Sequence, residues 1–496
     1  MKKAMKKLMA ALLAVAMVCA MAIPAFADGS APAGTTYTIT INNPVGTYEA
    51  YQIFSGDFDG KVLSNIDWGT GVSAAGKTAL GKAKEKAATL TTEADAKAFA
   101  VEVSSYLDAI SGTYAAGEIT GLSAGYYLVK NSSVGKDETY TSFILKVVEN
   151  VEVSPKGNKP SLEKKVKDIN DTTDDTTSSW QDSADHDIGD KVPFQLTAKI
   201  ASNFADYKTY KFVFHDVQSA GLDFLENTVK VKVGNTELTP DQYEVITTGL
   251  TDGCTFHVVI EDLKKISSAA ADAKVVVEYE SKLNEKAKIG SKGNPNEAYL
   301  EYSNNPYDTN GTTTTPEDKV TVFTFKVVAN KIDGATKDEL KGAAFALYKK
   351  DYNGIWNLVA LNNATEESNG VYKIVDNKKT TFEWVGLDDG TYKIIEIITP
   401  AGYNTIEDQI FTVTADHDVL AADPKLTSLS GNPETGAIQF TSKTDEGSLS
   451  TTIENNQGTT LPGTGGIGTT IFYVVGGGLM VAAAILLITK KRMENR

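Results

Sequence analysis

Most of the chain is a succession of short runs in which apolar and polar residues alternate, such as Tyr37-Thr38-Ile39-Thr40-Ile41 and Phe143-Ile144-Leu145-Lys146-Val147-Val148. The runs are rich in Val, Ile, Thr, Tyr and Phe and are separated by Gly, Asn, Asp and Pro. Strand side chains point alternately to the two faces of a sheet, so such runs are half-buried antiparallel strands. Two such sheets bury their apolar faces against each other, which makes the fold class all-β, with tandem immunoglobulin-like sandwich domains. One stretch breaks the pattern. Ala75 to Leu107 is rich in Ala, Lys and Glu and spaces Ala96, Phe99, Val103 and Leu107 three or four apart, which predicts a helical insertion in the first sandwich.

Two junctions divide the chain. Ser154-Pro155-Lys156-Gly157-Asn158-Lys159-Pro160 cannot sit in a central strand, and Asn310-Gly311-Thr312-Thr313-Thr314-Thr315-Pro316 is a second turn-rich connection. The predicted domains are 28–155, 156–310 and 317–457. Both ends lie outside them. Lys2, Lys3, Lys6 and Lys7 precede an apolar run and Ala25-Phe26-Ala27, so residues 1–27 are expected to be an export leader. At the other end Leu461-Pro462-Gly463-Thr464-Gly465-Gly466 stands before the uncharged stretch Ile471 to Thr489 and the basic cluster Lys490-Lys491-Arg492. That stretch approaches the ~20 residues a membrane-spanning helix needs, and the basic cluster would stay on the cytoplasmic side.

The formal charge of the whole chain is −16; the leader contributes +4 and residues 465–496 contribute +3, leaving −23 on residues 28–464. So acidic a surface excludes nucleic acid as a partner, since neutralising phosphates takes Lys and Arg. Cys254 is the only cysteine outside the leader, so no disulfide can form within the exported chain. It stands three residues from His257 without a second ligand pair, which predicts a core cysteine beside a strand histidine and no metal site. The acidic run Asp168 to Asp175 lacks the spacing of a calcium loop and predicts a solvated loop. His186, His215, His257 and His417 are scattered, and no nucleophile–base constellation stands out, so neither an enzyme nor a cofactor is expected.

The carboxy-terminal order of Leu461, Pro462, Thr464 and Gly465, span and basic stop closely resembles the substrate signal of sortases, transpeptidases of Gram-positive bacteria that cleave between the residues equivalent to Thr464 and Gly465. Within the third domain, alternation puts Lys331 in line with Phe325, Val327 and Ala329, Glu396 in line with Tyr392 and Ile394, and Asn455 in line with Ile453. Burying a lone lysine or carboxylate is costly, so such groups are paired, neutralised or consumed. Leu340 to Tyr348, Tyr392 to Glu396 and Thr399-Pro400-Ala401-Gly402-Tyr403 strongly resemble the collagen-adhesin B-type module of Gram-positive pilins. The resemblance implies a spontaneous Lys331–Asn455 isopeptide bond promoted by Glu396.

The second domain repeats the pattern with Lys164 beside Leu162 and Val166, Asp216 in line with Phe212 and Phe214, and Asn304 in line with Leu300 and Tyr302. Lys165 and Asn305 are the alternatives one residue out of register. Gly221-Leu222 and Tyr302-Ser303-Asn304-Asn305-Pro306 resemble the second domain of fimbrial shaft subunits, which implies a Lys164–Asn304 bond promoted by Asp216. The first domain has Lys130 where the third has its glutamate, and no lysine between Thr36 and Asn42, so no crosslink is expected there. Val151-Glu152-Val153-Ser154-Pro155-Lys156 partly resembles the pilin motif of shaft subunits, which implies Lys156 as acceptor in polymerisation, with Lys159 as the alternative.

These resemblances imply the major shaft subunit of a sortase-assembled pilus at the cell wall, its precursor held in the plasma membrane. The implied partners are other copies of the chain, a pilus-type sortase, a housekeeping sortase, minor pilins and peptidoglycan. A monomeric wall-anchored adhesin that binds a host or partner-cell ligand shares every feature except a working Lys156.

Overall fold

The computed structural model describes residues 35–59, 62–155, 159–173, 178–368 and 370–458. The leader, Lys156 and the sorting signal with its apolar stretch and basic tail lie outside the described residues.

The first domain packs two four-stranded sheets face to face. One runs in the order Thr113–Ala115, Glu118–Leu122, Tyr37–Ile41, Val151–Val153, the other Leu63–Trp68, Thr47–Phe58, Gly125–Ser133, Ser142–Val147. The first and last strands pair in parallel, with Ile39 opposite Val151. The predicted insertion is three helices, Ala74–Leu80, Ala83–Thr89 and Glu93–Val103. Thr92 starts the third with a reciprocal cap: its side chain accepts from the Asp95 N–H, and the Asp95 carboxylate accepts from the Thr92 N–H. Phe99 then stacks on Phe54 of the sheet at 5.6 Å, which seats the insertion on the sandwich.

In the second domain, one sheet runs Thr236–Glu237, Leu222–Val233, Lys274–Leu283, Lys191–Lys199, Ser161–Val166. The facing sheet runs Ser183–Asp185, Asp318–Phe323, Asn294–Ser303, Phe212–Gln218, Phe256–Ile260, Glu244–Ile246, with Thr312–Thr314 pairing Asn294–Ser303. Residues 318–323 therefore belong to the second domain, where sequence placed them in the third. Val320 and Val322 complete the second core, Phe323 at the end of the same strand packs against the third core, and the boundary moves to Thr324. Pairing decides this, and the turn-rich segment at 310–316 turns out to be an internal connection.

The third domain has a sheet ordered Thr381–Leu387, Phe325–Asp333, Ser448–Asn455, Thr441–Lys443 against one ordered Trp356–Asn362, Ala344–Lys350, Gly390–Ile398, Gln409–His417, Leu426–Thr435. Again the first and last strands lie side by side in parallel, with Lys331 opposite Ile453. Domains two and three meet closely at Gly290 and Gly447, both at positive φ (+87° and +58°). A Cβ on Gly290 would stand 2.6 Å from the Glu446 carbonyl carbon, so only glycine lets the two turns touch.

Candidate crosslinking sites

In the third domain the strand period delivers all three predicted groups to the interior: Lys331 and Asn455 are each 1 % exposed and Glu396 is 5 % exposed. Lys331 and Asn455 sit on adjacent parallel strands with their side chains on one face, and Glu396 reaches them from the facing sheet. The Asn455 Nδ2 donates to both Glu396 carboxylate oxygens, at 3.0 and 2.9 Å, and to the Asn404 carbonyl at 3.0 Å. Thr399 Oγ1 and the Ile406 N–H hold the same carboxylate from behind. Asn455 Oδ1 is buried with no hydrogen-bond partner among the described residues. Among the described residues, the Lys331 Nζ donates only to the Ile453 carbonyl, at 3.1 Å. Burial lowers this amine to about 8, against the opposing pull of Glu396. About a tenth of the amine is therefore neutral and nucleophilic at pH 7, far more than for an ordinary lysine.

The second domain brings together Lys164 and Asp216, both 0 % exposed, with Nζ 2.5 Å from Oδ2. Lys165 points the other way, to Asp182 and Glu163 at the edge of the domain, so the inward lysine is Lys164. Asn304 is not in the group. It lies at the joint with the first domain, its Nδ2 donating to the Glu138 carbonyl and its own carbonyl accepting from the Tyr140 N–H. The amide facing the lysine is Asn296. Asp216 pairs with Ala298, so Asn296 is the next residue along on the same face, whereas Asn304 is six residues further up the strand, ~20 Å away at ~3.3 Å per residue.

Tyr279 joins the three. Its hydroxyl accepts from Lys164 Nζ at 2.9 Å and from Asn296 Nδ2 at 2.9 Å and donates to Asp216 Oδ2 at 2.7 Å. Asp216 Oδ1 and Asn296 Oδ1 are buried without hydrogen-bond partners among the described residues. Burial drives the Lys164 amine down and the Asp216 carboxyl up, and each partner opposes that only in part. The two opposed shifts bring the affinities of amine and carboxyl for the proton closer together, which eases its transfer between them. Sequence reasoning missed Asn296 because Asn294, Asn296, Ala298, Leu300, Tyr302 and Asn304 all share one face; the strand register alone selects among them.

Among the described residues of the first domain no lysine is buried, and Lys130 lies over the Tyr51 ring at 5.4 Å. Lys159, the alternative acceptor, is held by Asp137 at 2.7 Å. The acidic run is not a solvated loop over its described part. Asp171 pairs with Lys349 of the third domain, Thr172 Oγ1 donates to the Lys350 carbonyl, and Asn170 Nδ2 donates to Asp389. Sequence could not show this because the partners lie some two hundred residues away.

Residues 188–306 match the family model for a Gram-positive pilin backbone subunit 2, Cna-B-like domain; residues 325–425 match a prealbumin-like fold domain, and 453–495 match the LPXTG cell wall anchor motif. The sandwiches and these matches define a class: the wall-anchored backbone pilins of Gram-positive bacteria, surface structural proteins rather than enzymes. Three segments of the chain match the domain and anchor types of that class. The chain is 26 % identical over 375 residues to the trypsin-resistant surface T6 protein of Streptococcus pyogenes serotype M6, a match spanning 64 % of this chain and 66 % of that relative, just under two thirds of its length. The T6 backbone pilin of serotype M6 Streptococcus pyogenes, with a modular three-domain structure, superposes with a TM-score of 0.53 at 19 % identity, covering 87 % of this chain and 99 % of that one, and so shares the fold.

Proposed function

We propose that this chain is the major shaft subunit of a covalently polymerised pilus and that its second and third domains each weld themselves with one lysine–asparagine isopeptide bond. The supporting observation is the repeated assembly, in the dry centre of two successive sandwiches, of a lysine amine, a carboxyl group and an asparagine carboxamide with an orphaned oxygen. An unsatisfied buried polar atom is costly, and finding one at each site calls for an explanation.

In the third domain the neutral Lys331 Nζ attacks Cγ of Asn455. The Nζ–Cγ bond forms, the Cγ–Nδ2 bond breaks, and Glu396 passes a proton from the attacking amine to the Nδ2 it already contacts, which leaves as ammonia. In the second domain Lys164 attacks Cγ of Asn296. Asp216 takes the amine proton as the Nζ–Cγ bond forms and passes one through the Tyr279 hydroxyl to Nδ2, which leaves as ammonia as the Cγ–Nδ2 bond breaks. Neither step needs a cofactor, and each happens once.

The bonds suit a load-bearing thread. Lys331–Asn455 ties the first strand of its domain to the last, and Lys164–Asn296 ties the first strand to the facing sheet. Tension entering a domain then bypasses the strand ladders, so resistance to unfolding becomes a rate governed by covalent bonds. Between subunits, a pilus-type sortase cleaves after Thr464 and transfers its carbonyl to Lys156 of the next copy; a housekeeping sortase joins the finished fibre to peptidoglycan, with minor pilins as accessory subunits. The test is a Lys156→Ala chain expressed with its sortase. Loss of the high-mass ladder with retention of wall-anchored monomer supports the scheme; a surviving ladder moves the acceptor elsewhere, and no ladder in the parent chain favours a monomeric adhesin.

A further inference from the structure

On the outer face of the second domain, behind Asp216, four side chains converge. His215 comes from the Phe212–Gln218 strand and His257 from the Phe256–Ile260 strand directly opposite it, while Asp252 and Cys254 come from the turn leading into the latter. One ligand atom of each lies within 4.8 Å of all the others. Asp252 Oδ2 is 3.0 Å from His215 Nδ1 and 2.8 Å from His257 Nε2, and Cys254 Sγ is 3.8 Å from the same His215 Nδ1. Ligands held 2.0–2.3 Å from a tetrahedral ion stand roughly 3.3–3.7 Å apart, so binding would lengthen the two Asp252 contacts and draw the wider pairs, all within 4.8 Å, inward.

The surroundings support the same reading. His215 presents its other nitrogen, Nε2, to Glu301 Oε2 at 3.3 Å, the carboxylate–histidine pairing that orients a metal-bound imidazole. Tyr299 stacks on the His215 ring with centroids 4.5 Å apart and brings its hydroxyl within 3.7 Å of Cys254 Sγ. Both imidazoles are largely buried, whereas Asp252 and Cys254 remain partly open, which leaves an entry path. Two imidazoles, a thiolate and a carboxylate are a borderline-soft donor set that suits zinc and is poorly matched to calcium or magnesium. We propose that His215, Asp252, Cys254 and His257 form a structural zinc site. The Cys254 thiol gives its proton to solvent as the Zn–S bond forms, and the ion ties two strands and a turn together on the face opposite Lys164 and Asp216. It also occupies the lone thiol of a chain at the cell surface, which could otherwise pair with another copy.

Sequence showed Cys254 and His257 without a second pair and predicted no metal; the missing ligands are Asp252, two residues before the cysteine, and His215, delivered only by strand pairing. The test uses residues 28–464, stripped with chelator and titrated with Zn2+ and, separately, Co2+. One zinc per chain, together with a sulfur-to-cobalt charge-transfer band and tetrahedral d–d absorption, is the expected result. Cys254→Ser, at a partly exposed position that does not threaten folding, removes the band and weakens zinc at least ~100-fold, and Glu301→Gln weakens it ~10–100-fold. Absence of zinc binding, or zinc bound by Cys254→Ser within ~10-fold of the parent affinity, overturns the proposal; the latter would place the ion at the Asp168, Asp185 and His417 group instead.

Discussion

Lys349 of the third domain reaches Asp187 of the second, Nζ to Oδ2, at 2.6 Å, with only 6 % of the lysine exposed. Asp388 and Asp171 contact the same ammonium, so one cation is enclosed by carboxylates from both domains. Burial works against its charge, but the three carboxylates outweigh burial and hold its proton far more tightly than usual. Lys349 thus fills with a side chain what would otherwise be an acidic cavity at the joint.

Replacing Lys349 with Met should therefore leave Asp187 and Asp388 facing each other without compensation. Breaking a buried ion group by removing one partner costs about 3–5 kcal/mol. The transition of the joined second and third domains should fall by roughly 10 °C, since 1 kcal/mol shifts a domain of this size by ~2–4 °C. An unchanged melting profile would mean that the joint is held elsewhere, at Gly290 and Gly447.

The same joint should weaken as pH rises. Burial disfavours charge on His417, but Asp168 and Asp185, each 3.3 Å from Nε2, prevail and raise it to about 9. Burial, with Asp185 and Asp168 adding to it, raises Asp389 to about 7. Both groups hold their protons more tightly in the folded joint than at the ordinary values of 6.5 and 3.8. The stabilisation from His417 is thus complete below 6.5 and lost as pH climbs through about 9, and that from Asp389 is complete below 3.8 and lost through about 7. Melting of residues 28–464 across this range should show a falling transition, and His417→Gln should flatten the upper part; a rising transition would refute the assignment.

Glu396→Gln should abolish the third-domain bond and leave the second intact, since the two sites share no residue. By analogy with a disulfide closing a loop of ~100 residues, losing the crosslink should cost about 5 kcal/mol, read as a lower melting temperature and faster unfolding. A crosslinked Glu396→Gln protein would show that the carboxyl group is dispensable.

Tyr279→Phe tests the relay in the second domain. Without the hydroxyl, Lys164 and Asp216 remain in contact, but Asn296 Nδ2 loses its link to the acid. The bond should form more slowly after folding, by ~10²-fold or more for a lost proton-transfer group, and time-resolved intact mass would follow it. An unchanged rate would confine Tyr279 to packing beside Phe194, its stacked neighbour at 5.4 Å.

Local pattern made the all-β class, the helical insertion and the inward face of Lys164, Lys331, Glu396 and Asn455 legible, because the strand period directly sets which side chains are buried. It could not select Asn296 over Asn304, since both share a face and only the pairing of Asp216 with Ala298 fixes the distance along the strand. Asp318–Phe323 is a strand of the second domain for the same reason: its partners, not its composition, decide where it belongs. The clusters around Lys349 and His215 draw on residues from distant parts of the chain, and no local pattern announces them.

Intact mass with peptide mapping of residues 28–464, beside the Asn296→Ala and Asn304→Ala variants, bears most directly on the welded domains. The parent should lack two ammonias, with branched peptides joining Lys164 to Asn296 and Lys331 to Asn455; Asn296→Ala should lack only one, and Asn304→Ala should match the parent. A parent of unmodified mass, or a branched peptide ending at Asn304, would contradict it.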